Sequence, residues 1–500
     1  MRTSRKGAPA SAADRPAGEK DARSPLAAEP PAHGRRHRLP GWAVLLGVVA
    51  VLLGANVALS YLMLTYGAES EAIWSSYYQA RDRQIDTVVV GSSYAAHAID
   101  PAALDASLGS SSWSLAMPAQ DPRGSYQAVK AAIEDHGVRR VIFGIGVDTM
   151  VEDPWPNAAV VSTLAKMQGE PIGRKMEDAV SLATDPGFLA NHKSLGVMFP
   201  WTMGTIGFSR SGIRANLDKR TSGKDPLSAA EGTLPGWSYQ GQGYGNAATV
   251  LDATSVGTYW NPPAKGMHHL KTNEDDVMRM VELCQQHNVE LYVVVVPQPS
   301  YFTLGYGGML CKERAALARR VVGAGGRWLD YSMARPDHYR AQDDEWMDFG
   351  HLNFSGAARF SRVLGKDVAR VEGDAGRRQG EKDNGLSSSF FRYGQLDDML
   401  HSYEGLSVVT LRTSVLLDGR VRAKATPVAA SDTKVEYRFQ LLDGSDAVLS
   451  QTAYSASPKA DIDLPGYQAY KVRVLARQKG STKPFERTAA VVLKSGESNE

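Results

Sequence analysis

Chemistry-bearing residues gather at two places far apart in this chain. The first is Gly91-Ser92-Ser93, where the apolar run Val88-Val89-Val90 stops. A serine hydroxyl becomes a nucleophile only when a base takes its proton and a third group orients that base. The second place is Asp348-Phe349-Gly350-His351-Leu352-Asn353. A carboxylate three residues before an imidazole can fix the ring's tautomer and stabilise the imidazolium formed on proton uptake. Alone, Gly-Ser-Ser is an ordinary helix start and Asp-x-x-His an ordinary polar turn. Together they supply a nucleophile, a base and an orienting acid. His97 lies four residues after Ser93 and on a helix would share its face, but that local pair has no orienting acid. Ser92 is expected to bond loop backbone.

The elements around these residues must bring them together. A short β-branched run reads as a strand buried on both faces, as in a parallel sheet. A strand that stops at Gly and turns into a helix puts Ser93 at the sheet's carboxyl edge, where open α/β sheets carry their ligands. Downstream, the pattern predicts helices over 101–108, 125–136, 273–287 and 312–322. Between and after them it predicts strands over 112–115, 138–145, 291–296 and 328–330. Such alternation implies an α/β fold with a doubly wound parallel sheet. Ala357, Phe360, Val363, Leu364 and Val368 mark one face of a closing helix, with Ser355 as its N-cap. Asp348 and His351 then sit in the loop entering that helix. Residues 149–272 form an insert after a strand's carboxyl end, placed to cover a site there. The aromatic loop Tyr301, Phe302 and Tyr306 could stack on a sugar ring.

Residues 84–370, apart from the insert, resemble the SGNH (GDSL-type) hydrolases and acyltransferases. Gly91-Ser92-Ser93 matches that superfamily's nucleophile turn, and Asp348 with His351 matches the Asp-x-x-His before its last helix. Asn353 and Gly356 fit the His-x-Asn-x-x-Gly-Ala extension of a membrane-anchored branch similar to the D-alanine transfer proteins of teichoic acid synthesis. The resemblance implies a flavodoxin-like sheet, with Ser93 as nucleophile, His351 as general base and Asp348 as its orienter. It implies an oxyanion hole from the amide of Ser93 and a donor at Met117 or a neighbour. It places Asn353 among the oxyanion and substrate contacts. At the third oxyanion position, Gly146-Val147-Asp148 carries Asp148 where the family has Asn, and an ionised carboxylate would repel a developing oxyanion. The resemblance implies no metal and no organic cofactor. It also implies a cell-envelope glycan or polymer as substrate and a membrane-bound acyl-donor protein as partner.

At 500 residues the chain should hold two folded domains plus accessory segments. A net charge of +2 gives no reason to expect nucleic acid. Cys284 and Cys311 lack metal-site spacing; in an exported domain they could form one bridge, and otherwise they are two small buried apolar residues, with the unpaired state favoured. Residues 1–39 have the composition of a disordered tail and end in the basic cluster Arg35-Arg36-His37-Arg38. A transmembrane helix is expected over 40–66, with residues 42–64 in the membrane. Charge asymmetry puts the N-terminus in the cytoplasm and the bulk of the chain outside. A SGNH-like domain over 70–372 is followed by a linker over 373–405, and period-two sequence over 406–496 reads as an Ig-like β-sandwich. Its Gly466–Val474 stretch resembles triple-tyrosine or fibronectin-like modules. The expectation is an extracytoplasmic serine esterase or O-acyltransferase. A non-catalytic scaffold or a glycan-binding surface protein on the same fold is the alternative.

Overall fold

The computed structural model describes residues 40–146, 149–151, 157–185, 188, 195–204, 206–230, 237–261, 266–306, 309–375, 386, 388–465 and 470–493. The tail over 1–39 therefore lies outside the described residues, as does Asp148. The apolar run forms one helix, Gly41–Met63. It is long and apolar enough to cross a membrane.

Among the described residues seven strands precede the closing helix: Thr87–Gly91 (β1), Ser112–Ser114 (β2), Arg140–Ile145 (β3), Trp237–Gly241 (β4), Tyr244–Ala247 (β5), Glu290–Val295 (β6) and Arg327–Asp330 (β7). Five of them make a wholly parallel sheet in the order β2-β1-β3-β6-β7. Both faces are buried, which is why the strands read as unbroken apolar runs. Val88, Val90, Phe143 and Val293 enter one core, while Val89, Ile142, Tyr292 and Val294 enter the other. Helices Pro122–His136, Lys271–Gln286 and Cys311–Gly323 contribute to the first core; Ser93–Ala98, Pro101–Leu108 and Phe354–Ala375 contribute to the second. The sheet is doubly wound, as the sequence implies. Its order reverses between β1 and β3, so the end of β1 lies at the switch point where such sheets bind ligands.

The insert is partly helical and contributes the antiparallel hairpin β4–β5. The expected linker is only partly one. Phe391 and Met399 pack on Met333, and Phe390 bridges to Ala334, so residues 388–405 cling to the α/β body. Beyond them, Leu406–Val415 (β8), Val421–Ala429 (β9), Val435–Leu442 (β10), Val448–Gln451 (β11), Lys459–Ile462 (β12), Tyr470–Gln478 (β13) and Arg487–Leu493 (β14) build two antiparallel sheets. Their orders are β11-β10-β13-β14 and β12-β9-β8, and they share one core. The short β11 has all four residues exposed, which is why no apolar pattern announces it. Cys284 and Cys311 are buried and unpaired.

Candidate active site

Ser93 is the first residue of a six-residue helix that begins as β1 ends. The sharp turn depends on Gly91, whose φ is +137° and whose added Cβ would lie 2.1 Å from the Gly144 carbonyl oxygen. Only glycine tolerates both the backbone and the approach. Gly144 in turn lets Ala95 close onto β3, since a Cβ there would lie 2.7 Å from that of Ala95. These two glycines seat the short helix on the sheet and leave the Ser93 side chain half-exposed at its edge. The Gly91 amide donates to Gln120 Oε1 at 2.9 Å, and Gln120 Nε2 donates to the Leu115 carbonyl at 3.2 Å, clamping the turns after β1 and β2 together.

The base arrives from 258 residues downstream: His351 Nε2 lies 2.9 Å from Ser93 Oγ. His351 Nδ1 lies 2.9 Å from Asp348 Oδ2 and 3.0 Å from Oδ1. An ionised carboxylate can only accept, so Nδ1 carries the proton and bare Nε2 faces the serine hydroxyl. Asp348 Oδ1 also accepts the amides of Gly350 at 2.8 Å and His351 at 2.9 Å. Burial works to raise this carboxyl's pKa, but the hydrogen bond and charge of His351, with the two amides, hold it below the ordinary value. The loop is closed behind the pair by an antiparallel bridge between Trp346 and Leu352 and by the Met347 amide donating to the His351 carbonyl. The two motifs read from sequence thus meet as one relay of serine, imidazole and carboxylate.

Other expected contributors are placed differently. The Met117 amide donates to the Gly91 carbonyl at 3.1 Å, extending the β1–β2 ladder, so it is committed to the sheet. Its side chain is fully buried and its sulfur accepts from Ser162 Oγ. Met117 is therefore not a free oxyanion donor. The Ser93 amide precedes the first intrahelical donor, Ala96, whose N–H reaches the Ser92 carbonyl; as a first-turn amide it has no acceptor within the helix. Asn353 is 2 % exposed and is the N-cap of Phe354–Ala375. Its Oδ1 accepts from the Gly356 amide and Ser355 Oγ, while Nδ2 donates to the carbonyls of Asp344 and Thr249. Asn353 fixes the loop that bears His351 and has no reach left for substrate; Asn353, not Ser355, caps the helix. Ser92 is buried and, among the described residues, its hydroxyl has no hydrogen-bond partner, contrary to the expected loop bond.

Tyr301 and Phe302 are buried against Trp260 rather than offered to a sugar. Tyr301 has another use: its hydroxyl donates to the Phe349 carbonyl at 2.6 Å, bracing the Asp348–His351 loop. Tyr94 sets its ring 5.3 Å from that of His351. His97 lies edge-on to His351 at 5.1 Å, and its Nδ1 is 3.1 Å from Asn246 Oδ1. Asn246 Nδ2 donates to the carbonyls of His97 and Leu352, which fixes its orientation and makes Nδ1 of His97 the protonated nitrogen. Burial, then repulsion from His351, push the His97 pKa down to about 4, so it is a neutral buried neighbour of the relay. Asn246 is the residue that sequence reasoning passed over; the only signal was a polar side chain inside the glycine-rich hairpin. Glu69, half-buried at the start of Glu69–Gln79, is pushed up to about 7 by burial, with the charge of His351 pulling the other way.

Through Asn246 the insert does reach this site. Its helices Asn157–Gly169 and Ile172–Ala183 help line a separate cavity of about 230 Å³ behind the loop after β2, bounded by Trp74, Asp121, Ser162 and Leu182 among others. Among the described residues no group of His, Cys, Asp and Glu could hold a metal ion.

No family model matches the chain, and no curated protein does. Among solved structures, an endo-beta-1,4-mannanase from Thermotoga petrophila aligns over 86 % of this chain and 94 % of its own, at 10 % identity and a TM-score of 0.13. A likeness that slight says nothing about fold or chemistry.

Proposed function

We propose that this chain is a membrane-anchored serine esterase or O-acyltransferase of the SGNH type, acting on acyl groups of a cell-envelope polysaccharide or teichoic-acid-like polymer. The observation that carries the reading is the hydrogen-bonded run from Ser93 through His351 to Asp348 at the switch point of a doubly wound sheet. In this mechanism His351 takes the proton of Ser93 as its oxygen attacks an acyl carbonyl. Asp348 stabilises the imidazolium, and the Ser93 amide donates to the oxyanion. His351 then returns the proton to the leaving oxygen. The acyl-serine passes to water or to a sugar or polyol hydroxyl, deprotonated by the same nitrogen. The apolar helix supports an envelope substrate and a membrane-bound acyl donor.

A fluorophosphonate probe tests the nucleophile. Full-length protein in detergent is expected to label, and Ser93→Ala and His351→Ala variants are not. Labelling that persists in Ser93→Ala defeats the assignment. Product analysis with acylated glycans, with and without an acceptor polyol, then separates hydrolysis from transfer.

A further inference from the structure

Helix Gly41–Met63 has 23 residues and is about 34 Å long, against a hydrocarbon core of about 30 Å. Protein covers one stripe of its last two turns. Asn56, Leu59 and Ser60 are half-buried and Met63 is buried, while Val57 and Tyr61 between them stay exposed. The covering stretch is 195–204. Asn56 Nδ2 donates to the Met198 carbonyl at 2.9 Å, and Gly204 lies so close to the Met63 carbonyl that an added Cβ would be 2.0 Å from its oxygen. Asn56 precedes Met63 by seven residues, which places the Met198 carbonyl about 10 Å short of the helix end. The span cannot start earlier to bring Asn56 into water, because Arg35-Arg36-His37-Arg38 and Pro40 stand before Gly41. Even a minimal span of about 20 residues runs to Ser60 and leaves Asn56 about 6 Å inside the apolar layer.

We propose that residues 195–204 and 206–208 belong to a second membrane element: an apolar wedge lying in the leaflet at the Met63 end, against the Asn56–Met63 turns, with helix Arg210–Thr221 at headgroup level. The proposal rests on reading Gly41–Met63 as a membrane span. From Leu195 to Phe208 there is no charged residue. Leu195, Met198, Phe199 and Phe208 all stand exposed, Phe208 by 75 %, so water would face a contiguous apolar run. Backbone at this depth must satisfy its own polar groups. Several of these groups are satisfied in short turns: Phe199 N–H donates to the Leu195 carbonyl, Thr202 N–H to that of Phe199 and Gly204 N–H to that of Trp201, while the Met198 carbonyl accepts from Asn56.

The next helix changes character at the level where the span ends. Arg220 Nη2 donates to the Leu64 carbonyl at 2.7 Å, and Asn216 Nδ2 donates to the carbonyls of Leu62 and Leu64. The Arg220 guanidinium stacks 4.9 Å from the rings of both Tyr61 and Tyr66. Arg210, Arg214 and Lys219 on the same helix suit lipid phosphates. Tyrosine beside arginine is the composition expected of a membrane–water boundary.

The test uses the full chain reconstituted in phosphatidylethanolamine–phosphatidylglycerol vesicles. An environment-sensitive dye is attached to a single introduced cysteine at Phe199→Cys, Phe208→Cys, Val49→Cys or Leu417→Cys, since both native cysteines are buried. Val49 is the mid-span control, and Leu417, fully exposed in the sandwich, is the aqueous control. Dyes at 199 and 208 are expected to emit blue-shifted like Val49→Cys, to lose emission to acyl-chain spin labels and to resist iodide. Dyes at 199 and 208 that behave like Leu417→Cys, while Val49→Cys is lipid-quenched, overturn the wedge. A Val49→Cys dye open to iodide overturns the span itself and the wedge with it.

Discussion

Replacing Asp348 by Asn separates orientation of the base from the shape of its loop. The carboxyl has two duties. Oδ1 accepts the amides of Gly350 and His351, and both oxygens face His351 Nδ1. Asparagine is isosteric, so its single carbonyl oxygen can keep both amides and the loop stays closed. Its NH₂ group then faces Nδ1 and must donate there. That makes Nδ1 the bare nitrogen and puts the proton on Nε2, 2.9 Å from Ser93 Oγ, where it cannot accept. A base locked in the wrong tautomer loses on the order of 10⁴ in rate, about 5.4 kcal/mol of barrier. The assay is the pseudo-first-order rate of fluorophosphonate labelling, read beside a thermal melt. Asp348→Asn is expected to melt like the parent and label about 10⁴-fold more slowly. Asp348→Ala strips both amides of their acceptor and is expected to lose stability as well. An Asn variant that labels within about tenfold of the parent refutes the tautomer argument.

Three further outcomes follow from neighbouring groups. Tyr301→Phe removes the bond to the Phe349 carbonyl, worth about 0.5–1.5 kcal/mol, and is expected to slow labelling roughly two- to tenfold with the fold intact. His97 has a folded pKa of about 4 against an ordinary 6.5, so the unfolded chain takes the proton first. Stability therefore rises with pH through that window and is lost as pH falls through it, by roughly 3 kcal/mol; His97→Gln should flatten the acid limb of a melting-temperature profile. Asp121 runs the opposite way. Burial pushes its carboxyl up to about 8 from 3.8, so the folded state holds the proton longer and stability falls as pH rises between those values, by roughly 1.4 kcal/mol per pH unit. Asp121→Asn keeps an oxygen for the Gly124 amide and should melt higher than the parent at pH 8 while matching it near pH 4.

The sheet and the relay were legible for one physical reason: both are carried by local patterns. Strands buried on two faces leave β-branched runs, and β1, β3 and β6 all fall on the runs that marked them. The relay needs only residue types at a strand end and a helix entrance, which Gly91–Ser93 and Asp348–His351 display. What escaped depends on partners distant in sequence. Asn246 holds His97 and Leu352 from 149 and 106 residues away, and nothing local to the hairpin announces either bond. Met117 looked available because sequence does not show that the β1–β2 ladder continues to its amide. Tyr301 looked like a surface aromatic because its burial is decided by Trp260 in the insert.

The separation of 258 residues between Ser93 and His351 has a consequence in time. A chain emerging at about 5–20 residues per second makes the serine roughly 13–50 s before the imidazole proposed to activate it. During that interval the hydroxyl is an ordinary alcohol, because His97, the histidine made alongside it, is turned to Asn246 of the insert in the finished fold. Asp348 and Asn353, which shape the final loop, come later still than the insert. In the proposed mechanism, reactivity is thus among the last properties the α/β domain acquires. By the same mechanism, a chain cut short before His351 would carry the serine without its base and would attack no ester near the ribosome or the membrane.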